Sequence, residues 1–168
     1  IEAFDTGLSD VAGLKEKNVV KGYYYRGMSR MQYMKQIAGK AAQGIELEAE
    51  EESAMETIIP DAYRDLTNAR KYDTGKMTEK IDKGLAQVSQ LLLQGSLAAL
   101  NSTLGNELKA EEKAEAYDAI VQMMDLYTEG TPDFYMAYDI RAQAKLAKGD
   151  SAAALTDFGM AAEKFQAD

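Results

Sequence analysis

The segment Ala154-Leu-Thr-Asp-Phe158-Gly-Met-Ala161 repeats the spacing of Ala62-Tyr-Arg-Asp-Leu66-Thr-Asn-Ala69. Each frame reads small residue, large apolar residue four later, small residue three after that. An aspartate sits just before the large residue in both, as Asp157 and Asp65. Ile1-Glu-Ala-Phe4-Asp-Thr-Gly7 fits the same frame with its first residue cut off. A second pattern precedes two of these: Tyr23, Gly27 and Met31 align with Tyr138, Ala142 and Leu146. Residues three and four apart share one helix face, so both patterns are helical stripes. Small residues in such a stripe admit a neighbouring helix closely, and large ones fill the gap between turns. A helix of the second pattern followed by one of the first makes an antiparallel hairpin, and stacked hairpins bury a continuous core.

Composition and punctuation agree with an all-α chain. Ala, Leu, Met, Glu, Lys and Gln, which are good helix formers, dominate the sequence. Alternating β-branched runs are scarce, so no strands are expected. The signals predict helices over roughly 1–13, 18–37, 58–71, 76–103, 107–129, 132–148 and 151–166, with a short one at about 45–57. Thr131-Pro132-Asp133 offers a cap and a first-turn proline, Gly149 a stop, Asp150 or Ser151 the next cap, and Tyr72-Asp73-Thr74-Gly75 a turn.

The paired patterns resemble the tetratricopeptide repeat, a 34-residue helix-turn-helix unit. Residues 131–168 hold a well-formed copy: Tyr138 and Ala142 in its first helix, Gly149-Asp150 at its turn, Ala154, Phe158 and Ala161 in its second. Arg141 stands where the family carries Leu. Residues 18–71 hold a copy split by an insertion at about 36–59. Residues 76–129 are a divergent helical pair, with Gly95 and Ile120 at candidate repeat positions, and 1–14 the end of an upstream repeat. The resemblance implies one domain over 1–168: antiparallel pairs stacked as a right-handed α-α solenoid of seven or eight helices.

A concave face lined by the first helices binds partners in this family. Carried over, that face is Lys21, Tyr24, Met28, Met31 and Gln32 in the early copy. In the late copy it is Met136, Asp139, Gln143 and Leu146. Tyr24 and Met28, with Asp139 and Gln143, do not reproduce the Lys and Asn clamp of the chaperone-tail-binding members. The expected role is a non-enzymatic scaffold or adaptor that binds a protein or peptide segment. The alternative is a periplasmic or cell-surface lipoprotein that captures a solute or glycan with similar helices. Ile1 is not a start residue, so both cytoplasmic and exported settings fit.

The chain has net charge −9 and lacks both His and Cys. Without them the commonest general base, metal ligand and thiol nucleophile are missing. No glycine-rich phosphate loop follows a strand, so neither catalysis nor a cofactor or metal is expected. The acidic balance disfavours nucleic acid, which needs a basic patch, and points to a neutral or basic partner. No apolar run is long enough for membrane insertion. Glu46 to Glu52 reads as a solvated helix face. Of Tyr23, Tyr24 and Tyr25, the family frame buries the first and turns the second toward the concave face. The methionines read mainly as core filler.

Overall fold

A computed structural model describes residues 15–167. Those residues form six helices and no strand: α1 (Glu16–Ala42), α2 (Ala49–Tyr72), α3 (Thr78–Gly105), α4 (Ala110–Gly130), α5 (Tyr135–Ala147) and α6 (Ser151–Ala167). The helix expected at 1–13 and the repeat fragment within 1–14 lie outside the described residues. Against the seven or eight helices expected, the separate pieces at 45–57 and 58–71 are a single helix. Pro60 lies inside α2 without ending it. Proline removes one backbone N–H donor and crowds the preceding turn, yet Ile58, Pro60 and Ala62 are all buried. Packing on both sides of the proline holds the helix through it.

By contact density the chain divides into two compact units between Gln90 and Leu91, a point within α3. In the first unit α1 and α2 are antiparallel. Lys40 meets Glu51 near the turn, Arg26 meets Asp65 midway, and the ring of Tyr23 stacks on that of Tyr72 at the far end. The core face of α2 is Ile58, Ala62, Tyr63, Leu66 and Ala69, which is the Ala-Leu-Ala frame extended by a turn. The start of α3 lies against both helices: Val20, Ala69 and Ile81 form one buried cluster. Gly27 and Gly84 are the close approaches. A Cβ at Gly27 would stand 3.0 Å from Leu66 Cγ and 3.2 Å from the Ala62 carbonyl oxygen. One at Gly84 would meet the methyls of Leu66 and the sulfur of Met28 at 3.2–3.3 Å.

In the second unit α5 lies between α4 and α6, antiparallel to both. Arg141 reaches Asp125 on one side and Asp157 on the other. Burial follows: α4 buries Tyr117, Ile120, Met124 and Tyr127 along one face, whereas α5 buries Ala137, Tyr138, Ile140, Ala142 and Ala144 around most of its circumference. Helix α5 begins later than expected. Thr131 closes α4, its N–H bonding the Tyr127 carbonyl, and does not cap α5. The Tyr138 hydroxyl holds the Pro132 carbonyl at 2.9 Å and the Phe134 ring packs on Tyr127. These contacts keep 131–134 as a turn.

Both hairpins turn over by the same device. Gly44 (φ 70°) and Gly149 (φ 89°) each end a helix in the left-handed region. Ile45 N–H bonds the Lys40 carbonyl, and Asp150 N–H bonds the Lys145 carbonyl, the six-to-one bond of a Schellman ending. The stretch read as an insertion is built into the arms of the first hairpin. Arg26 and Asp65 are 39 residues apart in sequence, Arg141 and Asp157 only 16. The extra chain lengthens both helices by nearly three turns each and adds Ile45, Glu46 and Leu47 to the turn. Glu46, Glu48, Glu50 and Glu52 are exposed as expected, but Glu51 is buried. Its carboxylate accepts from Lys40 Nζ at 2.5 Å and from the Glu48 N–H at 3.2 Å, closing a capping box.

Gly27→Ala should lower stability by about 1–3 kcal/mol, the usual cost of overpacking against atoms that have little room to move. Gly95, in an open stretch of α3 with nothing within 4 Å of an added Cβ, should gain up to about 1 kcal/mol as Ala. Denaturant titration of the two variants checks both signs.

Candidate functional site

Each hairpin carries one buried aspartate held by two cations from the facing helix. In the first unit Asp65 is 1% exposed. It accepts from Arg26 Nε at 3.0 Å and Nη2 at 2.5 Å, and from Arg30 one turn later. In the second unit Asp157, 3% exposed, accepts from Arg141 Nε at 2.9 Å and Nη2 at 2.6 Å, and from Lys145 at 2.8 Å. Each arginine also lies over the tyrosine three residues before it, Arg26 on Tyr23 at 5.4 Å and Arg141 on Tyr138 at 5.1 Å. Arg141 extends the network, donating to Asp125 at 2.7 Å and Thr128 at 3.1 Å, so it ties three helices together.

This arrangement is built for fixing helices rather than for proton transfer. Burial pushes the Asp157 carboxyl up, but hydrogen bonds from Arg141 and Lys145, and their charges, outweigh it and hold the group below the usual aspartate value. Arg141, pushed down by burial and up by Asp157 and Asp125, ends above its ordinary value. The pair is therefore ionised at neutral pH, and the carboxylate has no proton to donate.

The residues expected to line a partner-binding face are distributed unevenly. Those from Lys21 to Gln32 lie in the first unit and those from Met136 to Leu146 in the second. Met31 is 4% exposed and belongs to the core. Its place in the frame, four residues after Gly27, already aligned it with the stripe that meets α2. Tyr24 is half-buried, packed on the Val20–Ala69–Ile81 cluster with its edge toward Tyr25. Met28 is half-buried with its sulfur near Gly84. Tyr23 is also half-buried, and Tyr25 is the most exposed of the three tyrosines. Lys21 and Gln32 are exposed. In the second unit Met136 and Leu146 are exposed, while Asp139 and Gln143 are half-buried and joined by a 2.8 Å hydrogen bond from the Gln143 amide. These four lie at helical spacing along one stripe of α5.

A recess of about 230 Å³ opens at the other end of the first hairpin from Gly44. Lys17, Val20 and Lys21 of α1 line it, with Asp73, Thr74, Lys76 and Met77 of the α2–α3 turn. Apart from Lys21, none of these was singled out in the sequence as a binding residue. Asp73 is committed to the turn: it accepts from the Thr78 hydroxyl at 2.5 Å and the Met77 N–H at 3.1 Å. The Thr78 hydroxyl, aided by backbone N–H groups of 75–77, outweighs partial burial and holds the Asp73 carboxyl below its ordinary value.

No family model, curated protein sequence or solved structure matches this chain. The functional reading therefore rests on the residues themselves. No helix among the described residues is long and apolar enough to cross a membrane.

Asp157, with its pKa depressed on folding, contributes stability that is fully present above the unfolded value near 3.9. That contribution is lost as pH falls through the lower folded value. Asp157→Asn should abolish this acid-sensitive part. Arg141→Leu, which strips the main partner from a buried carboxylate, should cost ~3–5 kcal/mol at neutral pH. Urea unfolding across pH 2–7 distinguishes the two: an unchanged acid limb in Asp157→Asn would show that the clamp is not the titrating element.

Proposed function

We propose that this chain is a tetratricopeptide-like scaffold that binds a neutral or basic protein segment and performs no chemistry. The observation that carries the reading is the outer stripe of α5. Met136 and Leu146 stand exposed at its ends, and the hydrogen-bonded Asp139–Gln143 pair lies between them. Flexible apolar side chains at both ends offer adaptable contact. The amide and carboxylate between them supply a donor and an acceptor that fix register, and the carboxylate favours a segment with a cation opposite it. The stripe is held rigidly because the reverse side of α5 is pinned by Arg141 and the small residues Ala137, Ala142 and Ala144. Preorganised contacts of this kind lose little entropy on binding.

The same logic ranks the early set lower. Met31 is core, and Tyr24 and Met28 are engaged by the start of α3, which leaves Lys21 and Gln32 as the accessible members. Stacking into a right-handed superhelix, with first helices on its concave side, is part of the proposal and follows from the family frame.

Met136→Glu combined with Leu146→Glu tests this reading, because neither side chain is needed for the core. Proteins captured from native lysate by the intact chain should be lost with the double variant and retained with Leu155→Glu, a still more exposed apolar position on α6. Retention of every captured protein by the double variant would remove α5 as the binding face.

A further inference from the structure

We infer that the outward face of α6 pairs two copies of this chain, antiparallel, into a weak dimer. The α5 stripe takes no part in it, so this stands apart from the segment-binding reading.

The Asp157 clamp fixes which way α6 faces. Asp157 turns toward Arg141 of α5, and Ala154 and Ala161 on the same stripe are buried with it. The residues left outward recur at alternating steps of three and four: Ala152, Leu155, Gly159, Ala162 and Gln166, all of them exposed. That is the seam spacing by which one helix packs along another. No charge interrupts the seam, in a chain where 28% of residues are charged. Leu155 is 73% exposed and Phe165, on its flank, 63%, the two highest values of any large apolar side chain described. The Phe165 ring rests edge-on against Tyr135 at 5.1 Å, so it is already held in place for a contact.

Several features specify a second copy as the occupant. The seam is self-complementary. Gly159 has nothing within 4 Å of an added Cβ and lies one turn after Leu155, so a hollow stands beside a protruding side chain. With a twofold axis level with Asp157, Leu155 of each copy fills the hollow at Gly159 of the other, and Ala152 meets Ala162. A symmetric contact requires that reciprocity. Charge agrees with it. Net charge −9 sets two copies against each other elsewhere, and the uncharged seam lets them meet without like charges face to face. Glu163, at the seam's edge, comes level with Ser151 of the other copy, the positive start of a helix, which favours an acid. The 17 residues of α6 extend about 25 Å. A single helix contact of that length buries less than the ~800 Å² per partner of a standard interface, which sets a Kd on the order of 100 µM.

Sedimentation equilibrium of the whole chain, from tenfold below that value to tenfold above it, tests the pairing. The average mass should rise from one copy toward two and no further. Leu155→Glu should weaken association at least about tenfold. Gly159→Leu fills the hollow and should weaken it as much, although it adds apolar surface. Met136→Glu with Leu146→Glu should change it less than twofold. Circular dichroism establishes that each variant remains folded. A single copy throughout the range, or unchanged association in Leu155→Glu, would overturn the dimer. Tighter association in Gly159→Leu would show unspecific adhesion in place of the seam, and masses beyond two copies would overturn the twofold symmetry. Loss of association in the α5 double variant would move the interface to α5. Because Leu155→Glu should separate the copies yet keep the captured segment, failure of the pairing and failure of the α5 reading appear in different variants.

Discussion

One buried aspartate on the second helix of each hairpin, clamped by two cations a turn apart on the first, sets the geometry of this protein. An ionised carboxylate removed from water is costly by several kcal/mol unless charge and hydrogen bonds surround it. Asp65 and Asp157 meet that condition only when Arg26 and Arg30, or Arg141 and Lys145, sit directly opposite. A slip of one turn along either hairpin would leave the carboxylate with one of its two cations and a small or apolar side chain in place of the other. The clamp thus specifies register, a task that interdigitating Ala and Leu perform less sharply because neighbouring registers of an apolar stripe differ little. The tyrosine under each arginine narrows its geometry further.

Around this clamp the two hairpins differ in ways that follow from their length. The first has arms almost three turns longer, and its turn end has its own fastening, the Lys40–Glu51 pair beside the capping box. The second is short, and Arg141 compensates by gripping α4 as well. Helix α5 is thus pinned from behind, with Met136 and Leu146 exposed at the ends of its opposite stripe. In the first unit, by contrast, the corresponding stripe is covered in part by α3.

Much of the fold was legible because helical hairpins write their spacing into the sequence. The paired frames located the contacting faces of α1, α2, α5 and α6, and the glycine at 149 located a turn. The clamp was half visible: Asp65 and Asp157 already occupied equal positions, and aligning Tyr23 with Tyr138 also places Arg26 over Arg141 and Arg30 over Lys145. Arg141 was instead weighed as a departure from the family's Leu, because a motif scores each position alone, whereas a charge has meaning only beside its partner. The helices expected separately at 45–57 and 58–71 are one for a related reason, with Pro60 inside it. Proline breaks an isolated helix, but neighbours that bury it on both flanks carry the helix through. Among the face residues, exposure depended on which of them α3 covers, and no local pattern of α1 states that.

The sequence by itself determined that this chain is helical, that its helices pair in antiparallel hairpins, and which residues of each pair touch. These properties follow from contacts three and four residues apart and from turn chemistry, both local. Only the tertiary structure decided that the extra residues of the first hairpin lengthen its arms, and that Met31 is core. It also gathered Lys17, Lys21 and Lys76 around one recess. Each of those outcomes depends on contacts between residues far apart in the chain, which spacing along one helix does not encode.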